Sequence, residues 1–213
     1  MNTEQLVTML ARQAGPIHTA AGPRRFATAL AWGLPGSALI MATVLGVRAD
    51  LGAAVLLPMF WMKMGFPLAV AALMLGAATR LARPGGKAKL APVLLAGLVL
   101  MLWTLAAVVL VQTAPEQRTA LLFGSTWLVC LFNIPMLSLP LFAALLWALK
   151  GLAPTRPALA GAAAGLLASG LAAALYTLHC PEMDAPFLAL WYVAGMAIPA
   201  LGGAATGSRL LRW

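Results

Sequence analysis

Residues 124–140 read Gly124-Ser-Thr-Trp-Leu-Val-Cys-Leu-Phe-Asn-Ile-Pro-Met-Leu-Ser-Leu-Pro140, within an apolar run from Ala120 to Leu149 that meets no charge before Lys150. A chargeless run of that length can cross a bilayer. This one nevertheless carries a thiol (Cys130), an amide (Asn133) and two helix breakers (Pro135, Pro140). Polar atoms and prolines at membrane depth persist only where neighbouring protein satisfies them. The other cysteine, Cys180, ends a second apolar run in His179-Cys180-Pro181.

The composition extends this reading to the whole chain. Of 213 residues, 62% are hydrophobic and 9% charged, whereas a soluble domain carries about a quarter charged residues. The apolar residues come in long blocks, so the expected class is an all-α polytopic membrane protein. In such a protein the placement of the cations matters more than the net charge of +9. The first 23 residues are polar enough to be cytosolic, and no cleaved secretory peptide is expected. Arg24-Arg25 reads as a basic flank holding the first span. Two cysteines do not make a disulfide scaffold; they could pair, bind a soft metal or pack as small apolar side chains.

Taken in order, Asn2 and Thr3 are candidate caps for a short helix with Leu6, Val7, Met9 and Leu10 on one side, stopped by Gly15-Pro16. So short a helix needs a partner surface, protein or headgroup. The spans are expected near Phe26–Val47, Leu56–Ala78, Pro92–Val111, Ala120–Leu149, Pro157–Leu178 and Phe187–Gly207. Gly33, Pro35 and Gly36 predict a kink in the first. Lys63, within the second, is expected to snorkel outward along its stem, or else to find Asn133 or a carbonyl freed by Pro135. In the fifth, Gly161, Gly165, Ser169 and Ala173 form a small-residue stripe suited to close helix packing.

Six spans with both termini in the cytosol place Arg12, Arg24, Arg25, Arg80, Arg83, Lys87, Lys89, Lys150, Arg156, Arg209 and Arg212 inside, eleven of the 14 cations. Only Arg48 and Arg118 lie outside, the asymmetry that sets topology. Cys180, Glu182 and Asp184 then face outward, and Cys130 lies about 15 Å below that face.

No carboxylate lies inside a span and no histidine lies at mid-depth, which argues against a proton-coupled carrier. Phosphate loops and dinucleotide fingerprints are missing, and Ser125, Ser138 and Ser169 have no intramembrane base, so no enzyme is expected. What remains is His179, Cys180 and Met183, with Cys130 beneath. Imidazole, thiolate and thioether suit Cu(I), and thiolate with imidazole suits zinc. The thiols could equally form a disulfide if their α-carbons come within about 7 Å, or simply pack.

The succession Phe60-Trp61-x-Lys63, then Gly124-Ser125-x-Trp127-x-x-Cys130-x-x-Asn133-Ile134-Pro135, resembles the NrsF family of membrane anti-sigma factors. So do Pro154-Thr155-Arg156-Pro157-x-Leu159-Ala160-Gly161-Ala162 and Tyr176-x-Leu178-His179-Cys180-Pro181-Glu182. The resemblance implies a six-span negative regulator, in a bacterial inner membrane, of an extracytoplasmic-function sigma factor. It implies that residues 1–23 hold the sigma factor, with Leu6, Val7, Met9 and Leu10 as the candidate contacts, and that residues 24–213 form the membrane domain. It further implies that Cys130 and Cys180 sense oxidative or heavy-metal stress, supported by Trp61, Lys63, Trp127, Asn133 and Pro135. Direct binding to nucleic acid is not expected. The inner surface is short and basic, which suits acidic patches on a sigma factor and anionic lipid alike. The alternatives are a small metal or metabolite transporter using the same cluster, and a structural subunit of a larger membrane complex.

Overall fold

The computed structural model describes residues 2–13 and 21–212, which are helical throughout apart from turns and loops. Helix α1 (Thr3–Gln13) is followed by α2 (Ala21–Ile40), which runs on through a π-helical turn, Met41–Leu45. Then come α3 (Leu51–Ala54), α4 (Pro58–Leu81), α5 (Ala91–Gln112), α6 (Pro115–Phe123), α7 (Trp127–Lys150) and α8 (Pro157–Tyr176). Short α9 (Ala185–Phe187) continues through a second π-helical turn, Leu188–Tyr192, into α10 (Val193–Leu210). Six helical segments are long and apolar enough to cross a membrane. Proline stands at the first or second position of α4, α5, α6, α8 and α9, where its missing N–H costs no helical bond. The Gly15-Pro16 stop lies outside the described residues.

Helix α8 is the centre. It packs most extensively on α10 and α4, while α7 packs on α2 and α8. The expected small-residue stripe acquires a partner here. A Cβ on Gly161 would stand 2.0 Å from the Gly203 carbonyl oxygen, and one on Gly165 the same distance from that of Pro199. The Ser169 hydroxyl donates to the Met196 carbonyl at 3.1 Å. Backbone therefore meets backbone along the α8–α10 seam, an approach that only small residues permit. In α2, Gly33 and Gly36 likewise receive Leu141 and Pro140 of α7. Outward faces carry bare apolar side chains, among them Trp32 at 78% and Leu56 at 82% exposure, as lipid-facing surfaces do.

Two expectations about the fourth segment are corrected. The gap between the third and fourth expected spans, residues 112–119, is mostly helix, because Pro115 starts α6. The run from Ala120 to Leu149 is not one helix. Gly124, at φ +53°, ends α6, and α7 starts afresh at Trp127. Cys130 consequently occupies the first turn of α7 instead of lying three turns down a continuous span.

The bundle has two chemically distinct ends. Arg48, Cys180 and Glu182 mark one, the cysteine end. Arg25, Arg80, Lys89, Lys150 and Arg156 mark the other, the basic end. There the Arg25 guanidinium lies 4.8 Å over the Trp147 ring and fills the space beside Gly151.

Candidate functional site

The segment Leu178–Glu182, between α8 and α9, is drawn into the cysteine end by three elements. From the loop after α2, the Arg48 N–H donates to the Leu178 carbonyl at 3.0 Å, and Arg48 Nη1 donates to the Cys180 carbonyl at 3.2 Å. His179 Nδ1 lies 2.9 Å from the Gly46 carbonyl, so this nitrogen carries the proton. Arg48 also grips Asp50 with two bonds of 2.7 Å. That contact holds the guanidinium above its ordinary value and the Asp50 carboxyl below its own.

From α4 comes Lys63, fully buried. Its Nζ donates to the Cys180 carbonyl at 2.8 Å and the Glu182 carbonyl at 2.5 Å, and lies 5.3 Å from the centroid of the Tyr192 ring. The expectation of a lysine snorkelling outward is thus corrected, and its alternative partners, Asn133 and a carbonyl freed by Pro135, are not the ones found. Two carbonyls and a ring face solvate the ammonium inside the protein. Arg48–Asp50 is the only ion pair among the described residues, so Lys63 has no carboxylate neutralising it there.

From the α6–α7 break comes the third tether. The Glu182 carboxylate accepts from the Ser125 N–H at 2.8 Å, the Ser125 hydroxyl at 2.9 Å and the Thr126 hydroxyl at 3.3 Å. It occupies the space beside Gly124, where any Cβ would overlap it. An anion seated at the first turn of α7 also complements the helix dipole.

Beneath these tethers lie both thiols, Cys130 and Cys180, each fully buried and unpaired. They belong to one core cluster with Tyr176 and Tyr192, the only tyrosines in the chain. Tyr176 stands beside Cys130, Asn133 and Cys180. The buried Asn133 Nδ2 and Tyr192 hydroxyl have no hydrogen-bond partner among the described residues. Pro135 follows on the same helix, and its carbonyl accepts from the Ser138 hydroxyl at 2.7 Å. Trp127 packs against Trp191 at the rim, with ring centroids 4.7 Å apart and planes tilted by 42°. Trp61 turns away, 59% exposed, with its indole N–H on the Val55 carbonyl at 2.9 Å.

The sequence alone did not point to Tyr192 or to Arg48 as parts of this site. Arg48 reads as a turn residue, and its grip on Leu178 and Cys180 spans more than a hundred residues. Tyr192 did carry a signal: a phenol in an apolar span needs a partner or a purpose.

The arrangement is not a preformed site for a soft cation. Among the described residues no group of three or more His, Cys, Asp or Glu side chains could hold a metal ion. His179 commits one nitrogen to Gly46, and an ammonium stands against the Cys180 backbone. What the cluster offers is two sequestered thiols whose covalent modification would strain the tethers around them.

Comparison with known proteins identifies a family. A family described as "Negative regulator of sigma F", NrsF, matches residues 10–213. The chain is 51% identical over 213 residues to a protein of Azospira oryzae named probable anti-sigma-F factor NrsF, with 100% of both chains covered. It is 41% identical over 215 residues to the anti-sigma-F factor NrsF of Caulobacter vibrioides, again with 100% of both covered. No solved structure matches. Matched over nearly its whole length, from α1 to the end of the bundle, the chain belongs to the NrsF family of negative regulators of sigma F.

Proposed function

We propose that this chain is a membrane-embedded, non-enzymatic anti-sigma factor. It sequesters a sigma factor of the extracytoplasmic-function class and releases it when Cys130 and Cys180 are modified by oxidant or heavy metal. The observation that carries the reading is that Cys180, in a loop tied to α4 and to the start of α7, is buried in one core cluster with Cys130 of α7. In this reading both termini and the basic end face the cytosol of the cell that makes it, across the inner membrane. The exposed face of Leu6, Val7, Met9 and Leu10 on α1 receives the sigma factor, and residues 24–213 form the membrane domain.

A route between the ends follows from the packing. Modification of either thiol enlarges a fully buried side chain, which displaces the Cys180–Glu182 segment. Glu182 then pulls on Ser125 and Thr126 at the head of α7. Further along α7, Pro140 and Leu141 sit against Gly36 and Gly33 of α2, the helix that the sigma-binding segment precedes. Moving a partner from 99% bound to 1% bound requires about 5.5 kcal/mol of differential stabilisation. A new disulfide or thiolate–metal bond supplies energy of that order, and a single hydrogen bond does not.

The test is co-purification of the sigma factor with the full-length protein from membranes, with and without oxidant or cadmium. The parent should lose the sigma factor on stress, whereas Cys130→Ser, Cys180→Ser should retain it. A double variant that releases it like the parent ends the thiol reading. Failure of the parent to capture any sigma factor ends the anti-sigma reading.

A further inference from the structure

Helix α5 stands apart from the bundle at its basic end. Its buried residues are Leu102 and Ala106, and the Trp103 indole N–H fastens it to the Ala189 carbonyl at 3.0 Å. Towards Ala91 it parts from α4 and α8, leaving a cleft of about 330 Å³ lined by Met74, Ala77, Leu81, Leu95, Ala163 and Leu166. That size is within the range of about 300–1,000 Å³ typical of small-molecule sites. From Leu81 to Met74 the cleft reaches about 10 Å along α4. It is apolar throughout its depth, and it opens beside helices that face lipid.

Its mouth is cationic. Lys89 and Arg156 line the same cleft with no carboxylate paired to either among the described residues. The loops that carry them are joined by the Gly85 N–H, which donates to the Thr155 hydroxyl at 3.1 Å. Both α5 and α8 begin here, and neither Leu90 nor Arg156 caps its helix through its side chain. Two uncapped helix starts and two free cations therefore surround the opening of an acyl-sized slot, a pattern that favours an anion.

We propose that the α4–α5–α8 cleft is a binding site for one phospholipid with an anionic headgroup. An acyl chain lies along Leu81, Ala77 and Met74, and the phosphate is held between Lys89 and Arg156. Water in this slot would face only apolar walls, and a soluble peptide could not reach its depth within the bilayer. A lipid matches both the wall and the mouth. The occupied cleft would wedge α5 against the bundle and fix the basic end. This inference does not depend on the sigma factor or on the thiols.

The test is native mass spectrometry of the full-length protein, delipidated in non-ionic detergent and titrated with phosphatidylglycerol or phosphatidylcholine. The parent should bind one phosphatidylglycerol in preference to phosphatidylcholine. Lys89→Gln, Arg156→Gln should weaken phosphatidylglycerol binding at least about fivefold, given the worth of one basic residue at an anionic surface. Lys87→Gln, on the same loop but outside the cleft, should leave it unchanged, and Ala163→Leu should obstruct both lipids. Equal binding of the two lipids overturns the proposal. So does an effect of Lys87→Gln as large as that of the double variant, because the attraction would then be diffuse. Should Ala163→Leu fail to fold, the comparison of exposed-residue variants decides alone.

Discussion

Lys63 shows how a single residue can commit a membrane protein to one loop conformation. Moving an ammonium into an apolar interior costs several kcal/mol, and here the Cys180 and Glu182 carbonyls offset that cost. Lys63→Met keeps the stem but removes the donor, leaving the Glu182 carbonyl without its partner and the Cys180 carbonyl with Arg48 alone. Thermal melts in detergent should show a loss of about 1.5–3 kcal/mol, and maleimide labelling of Cys180 in the folded protein should accelerate. Unchanged values of both would mean that the loop is held by Arg48 and Glu182 alone. Asp184, just before α9, gives a pH-dependent prediction. Burial, and then the nearby Glu182 charge, holds its carboxyl above its ordinary 3.8. The folded chain binds that proton more tightly than the unfolded one. The contribution is therefore complete below the unfolded value and is lost as pH rises through the folded one. Asp184→Asn should raise the melting temperature at pH 7, and the gain should vanish near pH 3. The Arg48–Asp50 pair has the opposite sign, since its contribution is lost as pH falls through the lowered Asp50 value.

At the scale of elements, the α8–α10 seam is where sequence and packing are most tightly coupled. Gly161 and Gly203 oppose one another so closely that a Cβ on either would lie within 2.1 Å of the other's carbonyl oxygen. Gly161→Leu should cost at least about 1–3 kcal/mol by overpacking, read as a lower melting temperature and reduced membrane yield. Gly97→Ala on α5, where a Cβ meets nothing within 4 Å, should leave stability equal or slightly higher. Equal damage from both substitutions would show that the seam is not special. The break at Gly124–Thr126 belongs to the same scale. Glu182 takes up the Ser125 N–H and the Ser125 and Thr126 hydroxyls just before α7, so a carboxylate from a distant loop is tied directly to the start of the helix that carries Cys130.

For the whole molecule, the proposed function assigns the stress signal to the cysteine end and the cytosolic partner to the basic end. The described residues of α1 expose Leu6, Val7, Met9 and Leu10 at 40–59%, a surplus of apolar surface for so polar a segment. Deletion of residues 2–13 should leave the protein in the membrane at normal abundance while abolishing capture of the sigma factor, read by co-purification. Retained capture would move the binding surface to the basic loops.

The sequence by itself determined the helical class, the six apolar segments, the small-residue stripe of α8 and the rarity of Cys130 and Cys180 among apolar neighbours. All of these follow from local composition and spacing, because length and hydropathy alone decide what can lie in lipid. It missed the division of the Ala120–Leu149 run, since the left-handed backbone at Gly124 is stabilised by a carboxylate 58 positions away. It missed the destination of Lys63 for the same reason. Only the tertiary structure decided that the lysine turns to the Cys180–Glu182 backbone, that Arg48 joins it, and that both tyrosines share a core with both thiols. Periodicity records which face of a helix is buried; it does not record which distant loop is folded down onto that face.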